Sequence, residues 1–210
     1  MKNILYIHGM GGGSDSRIPS ILNDALEGAQ HLQVIARTYD FDPEIAADQI
    51  SGWVDELKPV LVIGESLGSL HALRIPDVPH ILISPALNAP LYFDVLAWLS
   101  LIPGVTWIFD RLYRPREGDR QPLHFTFRIL RKYHQHRRHA IAASLRHDEY
   151  FHAFIGTRDH YLKSRIVSLK TWKKYFGDTL TLYDGTHFTE EEYIYSLVIP
   201  KVLEVLDINK

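Results

Sequence analysis

Short apolar segments rich in isoleucine, leucine and valine alternate along this chain with longer segments of helical character. The apolar segments predict six strands, at residues 3–7, 32–36, 59–63, 80–83, 150–155 and 179–183. Helices are predicted between or after most of them, at residues 18–27, 44–57, 70–75, 162–175 and 190–206. Because strand and helix alternate, we expect an α/β fold with a largely parallel sheet covered on both faces. Functional residues should then lie on loops at the carboxyl ends of the strands.

The alternation stops between residues 84 and 147, a stretch too long to be a bare loop. Its first half, residues 91–113, is apolar, and its second half, residues 125–146, is basic and helix-forming. We therefore predict that residues 86–147 form a helical cap, inserted after the fourth strand over the carboxyl edge of the sheet. Four aromatic residues of the first half could line an acyl pocket, touch a lipid interface or pack against the body: Tyr92, Phe93, Trp98 and Trp107.

Composition limits the classes of function. A single domain of 210 residues with 46% hydrophobic content can bury a real core, and a net charge of −2 gives no reason to expect nucleic acid as a partner. The chain has no cysteine, which excludes disulfides and a thiolate nucleophile. The first strand leaves no room for a signal peptide, so we expect a cytoplasmic protein. The apolar segment 91–102 contains Asp94 and is too short to span a bilayer, so stable membrane insertion is not expected.

A serine stands between two glycines where the third predicted strand turns into a helix. The segment is Gly64, Glu65, Ser66, Leu67 and Gly68. Glycine on either side removes the Cβ atoms that would clash in so sharp a turn, which leaves the central hydroxyl exposed. This pattern predicts a nucleophile elbow with Ser66 as the nucleophile.

A serine hydroxyl attacks efficiently only when an imidazole takes its proton and a carboxylate orients that imidazole. Asp159 follows the fifth predicted strand, and His187 follows the sixth. We predict that Asp159 is the orienting acid and His187 the general base. Asp148 and Asp184 remain alternative acids.

The negative oxygen of a tetrahedral intermediate needs preorganised N–H donors. The residue after the nucleophile, Leu67, would supply one backbone N–H. The glycine-rich segment 8–13 follows the first strand and offers the other, for which Met10 is our candidate.

At these positions the chain resembles the α/β-hydrolase superfamily, in particular its small bacterial serine esterases. The resemblance rests on His8-Gly9-Met10-Gly11-Gly12, Gly64-Glu65-Ser66-Leu67-Gly68, Gly156-Thr157-Arg158-Asp159 and Gly185-Thr186-His187-Phe188. It implies a trimmed sheet of about six strands, the triad named above, and hydrolysis of a small-molecule ester or thioester without metal or organic cofactor. The alternative is a non-catalytic binding protein on the same scaffold.

Two other kinds of site are disfavoured. A dinucleotide-binding fingerprint starting at Gly9 would need glycine or alanine where Ser14 stands, and no lysine completes a P-loop. His134, His136 and His139 lie among arginines and lysine, which would repel a metal cation. The cations of residues 125–146 are better explained as a solvated face or as contacts to an anionic part of a substrate.

Overall fold

The chain folds around one six-stranded sheet. A computed structural model describes residues 2–27, 32–113, 117–146 and 150–206. The strands are β1 (Lys2–Ile7), β2 (Leu32–Ala36), β3 (Leu61–Glu65), β4 (His80–Ile83), β5 (Phe151–Gly156) and β6 (Leu180–Tyr183). Their order is β2-β1-β3-β4-β5-β6, and every neighbouring pair is parallel. The predicted α/β class, the six strands and the parallel sheet are confirmed.

Both faces of the sheet are covered, as the continuous apolar strands require. In β1, Ile4 and Tyr6 belong to one apolar cluster, whereas Leu5 and Ile7 belong to a second cluster on the opposite face, and all four are fully buried. Because β1 and β3 are central strands, the loops that follow them leave the sheet near its middle.

Helices flank the sheet. They are α1 (Arg17–Leu26), α2 (Pro43–Leu57), α3 (Gly68–Ala72), α4 (Ala89–Leu99), α5 (Val105–Leu112), α6 (Phe127–Ser144), α7 (Tyr161–Ser164), α8 (Leu169–Phe176), α9 (Glu191–Tyr193) and α10 (Ile199–Val205), with a π-helical segment, Ile194–Val198, between α9 and α10. Local signals set several boundaries. At the start of α2, the Asp42 side chain accepts a hydrogen bond from the Glu44 N–H at 3.0 Å, and Pro43 occupies the first turn.

One predicted helix is wrong. Residues 162–175 form two helices, α7 and α8, rather than one. Arg165 ends α7 in the left-handed conformation, with φ of 62°, and Ser168 starts α8 by accepting a hydrogen bond from the Thr171 N–H. The break places Val167 in the core at zero exposure, so tertiary burial outweighs the local helical pattern.

The segment between β4 and β5 is helical, as predicted, and its last helix is part of the body. α6 packs against α2 and α3 as well as α4. Its Tyr133 is fully buried and donates a hydrogen bond to the Phe41 carbonyl oxygen at 2.9 Å. The division of residues 86–147 from the rest as a cap stays a prediction. Within the described residues, no helix is both long enough and apolar enough to cross a membrane.

Candidate active site

Ser66 lies in a sharp turn between β3 and α3. Its φ is 49°, a left-handed conformation that costs a non-glycine residue about 1–3 kcal/mol. The turn brings α3 against the end of β1. A Cβ atom on Gly68 would lie 2.3 Å from the carbonyl oxygen of His8 and 2.4 Å from that of Ile7. Only glycine fits there, which explains the second glycine of the predicted elbow.

The three predicted triad residues meet at the carboxyl edge of the sheet. His187 Nε2 lies 3.0 Å from Ser66 Oγ, and His187 Nδ1 lies 2.8 Å from Asp159 Oδ2. His187 and Asp159 are buried, with 5% and 3% exposure. A carboxylate only accepts, so Nδ1 carries the proton and Nε2 is left to accept from the serine hydroxyl. The other oxygen of Asp159 accepts from the Tyr161 N–H at 2.8 Å, which fixes the carboxylate.

The loop after β1 lies against this serine. A Cβ atom on Gly9 would be only 3.1 Å from the Cβ of Ser66. Among the described residues, no hydrogen bond engages the backbone N–H of Met10 or of Leu67, the two predicted oxyanion donors. Burial lowers the pKa of His8, at the start of the loop, to about 4, so this ring is neutral near pH 7. An oxyanion here would therefore meet amide dipoles rather than a histidine cation.

Solved structures with the same architecture are numerous. The chain is similar to Est1E from Butyrivibrio proteoclasticus, solved with ferulic acid bound, with 16% identity and a TM-score of 0.68 over 99% of this chain and 90% of that one. It is also similar to a monoacylglycerol lipase from Paleococcus ferrophilus, with 17% identity and a TM-score of 0.64 over 99% of this chain and 95% of that one.

The fold is that of the α/β-hydrolases. A third similar structure, alpha/beta hydrolase domain-containing protein 10 from mouse, has 13% identity and a TM-score of 0.64 over 98% of this chain and 89% of that one. No protein-family model and no curated protein matches the chain. The likeness to α/β-hydrolases therefore lies in the fold, and the chemistry of the site depends on the residues described above.

In this α/β-hydrolase fold, the described alternative acid does not contact His187. Asp184 is on the same loop as His187, but its side chain is 78% exposed and pairs with Arg158 at 2.9 Å. Asp148 lies outside the described residues. Of the described candidates, Asp159 alone is within hydrogen-bond distance of the imidazole.

Sequence reasoning missed the group that holds the histidine loop. Arg17, on α1, donates to the carbonyl oxygens of Phe188 and Thr189 at 2.7 and 2.6 Å. The Thr189 hydroxyl in turn contacts the Tyr183 hydroxyl at 2.7 Å. The residues just after His187 are thus bonded to both α1 and β6. No local pattern marks Arg17, because its partners are 171 and 172 residues away.

Gln121 was also missed, and it connects the segment before α6 to the loop after β1. Its side-chain oxygen accepts from the Gly11 N–H at 3.1 Å, and its Nε2 donates to the Tyr39 carbonyl oxygen at 3.2 Å. Its own N–H donates to the Gly12 carbonyl oxygen at 2.7 Å. At 1% exposure, Gln121 has most of its polar groups paired inside the protein. It fixes the residues that follow Met10.

The three histidines of α6 do not share a site. His134 contacts Asp94 at 2.8 Å, whereas His136 is buried and accepts from the Arg74 guanidinium at 3.0 Å. His139 lies on the exposed side of the helix. In the part of the chain that the structure describes, no group of three histidine, aspartate or glutamate side chains could hold a metal ion.

We expect Gly68→Ala to destabilise the fold by about 3 kcal/mol or more, because the added Cβ would meet two backbone oxygens that cannot move independently. The measurement is urea unfolding followed by circular dichroism. Gly52→Ala is the matched control: it lies inside α2 with no atom within 4 Å of its Cβ position, so alanine should stabilise by about 0.5–1 kcal/mol. Equal effects of the two substitutions would contradict the tight contact.

Proposed function

We propose that this protein is a serine hydrolase that cleaves a carboxylic ester or thioester through an acyl-enzyme. The observation that carries the proposal is the continuous hydrogen-bonded path from Ser66 through His187 to Asp159, with distances of 3.0 and 2.8 Å. The similar structures add support, since one was solved with ferulic acid bound and another is named a monoacylglycerol lipase. Both names favour an acyl substrate.

In the first half-reaction, Ser66 Oγ attacks the carbonyl carbon of the substrate while His187 Nε2 takes the hydroxyl proton. The carbonyl oxygen becomes an oxyanion that accepts hydrogen bonds from the N–H groups of Met10 and Leu67. Losing one such donor typically costs about 3–4 kcal/mol in barrier. When the intermediate collapses, His187 gives its proton to the leaving oxygen or sulfur, and an alcohol or thiol departs.

In the second half-reaction, water attacks the acyl carbon on Ser66. His187 Nε2 takes a proton from this water, a second oxyanion forms, and its collapse returns the proton to Ser66 Oγ as the acid leaves. Asp159 keeps the Nδ1 proton in place and stabilises the imidazolium in both halves. Protein groups and water supply every step, so the proposal requires no cofactor.

The second candidate is a binding protein that keeps the scaffold without the chemistry. The alignment of the three side chains argues against it, because a strained serine and two buried polar groups held in this geometry serve no evident packing purpose. If the folded protein hydrolysed none of the esters and thioesters tested, that result would favour this candidate.

A serine-directed fluorophosphonate should add one covalent adduct to the folded protein, with the modified peptide containing Ser66. The expected result follows from the activation of Oγ by His187. Intact-mass spectrometry and peptide mapping are the measurements. Ser66→Ala should remain unlabelled, and the exposed Ser51→Ala should label like the parent chain. An unmodified Ser66 in folded protein would overturn the proposed nucleophile.

Asp159→Asn should lower kcat on short-chain p-nitrophenyl esters by about a thousandfold to ten-thousandfold, because the amide no longer selects the Nδ1–H tautomer. Asp184→Asn should change kcat by less than about threefold, since its carboxylate is exposed and paired with Arg158. Steady-state kinetics on the two variants decide between the two acids. The opposite ranking would transfer the orienting role to Asp184.

Gln121→Met should lower kcat by about tenfold to a hundredfold with a smaller change in KM. Methionine keeps the length of the side chain but releases the Gly11 N–H, so the preceding Met10 amide is less well oriented. The kcat is expressed per site titrated with the fluorophosphonate, so that a loss of folded protein does not count. The exposed Gln135→Met is the control. An unchanged kcat per site would show that Gln121 does not act on the oxyanion loop.

A further inference from the structure

α5 has no buried residue, although most of its side chains are apolar. Trp107 is 63% exposed and Leu112 is 70% exposed. Phe109 is partly buried and packs against the core, where its ring lies 5.5 Å from that of Phe125. This helix therefore presents apolar area to the outside that the described residues do not cover.

The preceding turn and α4 also expose apolar side chains. We define the hairpin surface as six side chains that are between 52% and 70% exposed: Val95, Trp98, Leu101, Ile102, Trp107 and Leu112. Large contiguous apolar patches on a protein surface mark places where another molecule binds. Tryptophan and tyrosine are the side chains that favour the boundary between water and lipid, and Tyr92 on α4 and Tyr113 at the end of α5 are exposed as well.

Charge is distributed unevenly along the sequence. Residues 86–147 contain ten lysines and arginines against four acidic residues, a net charge of +6, whereas the rest of the chain carries −8. Arg111 lies on the exposed face of α5, with its guanidinium 5.7 Å from the centre of the Trp107 ring. Arg128 is exposed and follows Phe127, whose ring meets Trp98 at 5.3 Å. Exposed arginines thus stand beside the hairpin surface on α5 and on the neighbouring α6.

The hairpin also borders the candidate active site. The Tyr92 hydroxyl, on α4, donates to the Ser164 carbonyl oxygen at the end of α7. Tyr161, at the start of the same short helix, has its ring edge-on to that of His187 at 4.7 Å. The helix that carries part of the hairpin surface therefore contacts the helix that packs against His187.

We propose that the hairpin surface binds the face of a bilayer that contains anionic phospholipid. Trp98 and Trp107 enter the headgroup region, and Arg111 and Arg128 contact phosphates. A second copy of the chain is a poorer occupant, because a two-fold interface would bring Arg111 and Arg128 of both copies into one apolar contact, where their like charges repel. The binding does not depend on chemistry at Ser66, so it can fail or succeed separately from the proposed hydrolase activity.

The test is co-sedimentation of the full-length Ser66→Ala protein with vesicles of pure phosphatidylcholine and with vesicles of phosphatidylcholine and phosphatidylglycerol. We expect binding mainly to the second kind, weakening as salt rises. Tryptophan emission should shift to the blue on binding, because Trp98 and Trp107 are the most exposed of the four tryptophans and Trp172 is fully buried.

Substitutions can separate the contribution of the tryptophans to vesicle binding from that of the arginines. The double variant Trp98→Gln, Trp107→Gln should lower the partition coefficient at least about tenfold and abolish the blue shift. The double variant Arg111→Gln, Arg128→Gln should remove the preference for phosphatidylglycerol, with about a fivefold loss per arginine. Ile45→Gln and Lys170→Gln, exposed positions on α2 and α8, are the controls and should bind like the parent.

Three results would overturn the proposal. The first is the absence of binding to either kind of vesicle, and the second is binding that the tryptophan variant leaves intact. The third is a dimer in sedimentation velocity that the tryptophan variant dissociates while vesicle binding is absent, which would assign the hairpin surface to a second copy. Equal binding to neutral and anionic vesicles would overturn the role given to Arg111 and Arg128.

Discussion

The backbone oxygens at the end of β1 lie so close to the start of α3 that no side chain fits between them, and much of the candidate site depends on that contact. It requires Gly68, and it sets α3 directly after the turn that holds Ser66 at a positive φ. The same approach brings Gly9 against Ser66, so the loop that carries the proposed oxyanion donor Met10 lies in contact with the proposed nucleophile. Strain at the serine is therefore offset by packing between two central strands and a helix.

The parallel sheet explains why the remaining side chains meet. β5 and β6 are neighbours, so the loops that carry Asp159 and His187 leave the same edge side by side. Ser66 follows β3, which lies two strands from β5. The imidazole of His187 spans the remaining distance to the Ser66 hydroxyl. The insertion takes part as well, because Gln121 bonds the loop after β1 to the segment that leads into α6. The candidate site thus joins residues from nearly every part of the chain.

The strands and the three site residues could be predicted because their signals are local. A strand that is buried on both faces has a continuous apolar sequence, and Ser66, Asp159 and His187 each follow such a segment. Arg17 and Gln121 could not be found in this way, because each acts on the backbone of a distant loop and nothing beside it in sequence differs from an ordinary polar residue. The break between α7 and α8 escaped prediction for a related reason: burial of Val167 is a tertiary effect that the helical pattern of residues 162–175 does not contain.

Arg17 holds the histidine loop by main-chain oxygens alone. The side chain of Phe188 takes no part in these hydrogen bonds: it is 65% exposed, and its ring lies 5.6 Å from that of His187. Evolution, or a protein engineer, can therefore exchange the group at this position to suit a different substrate of the proposed hydrolase while Arg17 still holds the backbone beside the imidazole. The architecture separates the part of the loop that must stay constant from the part that is open to adaptation.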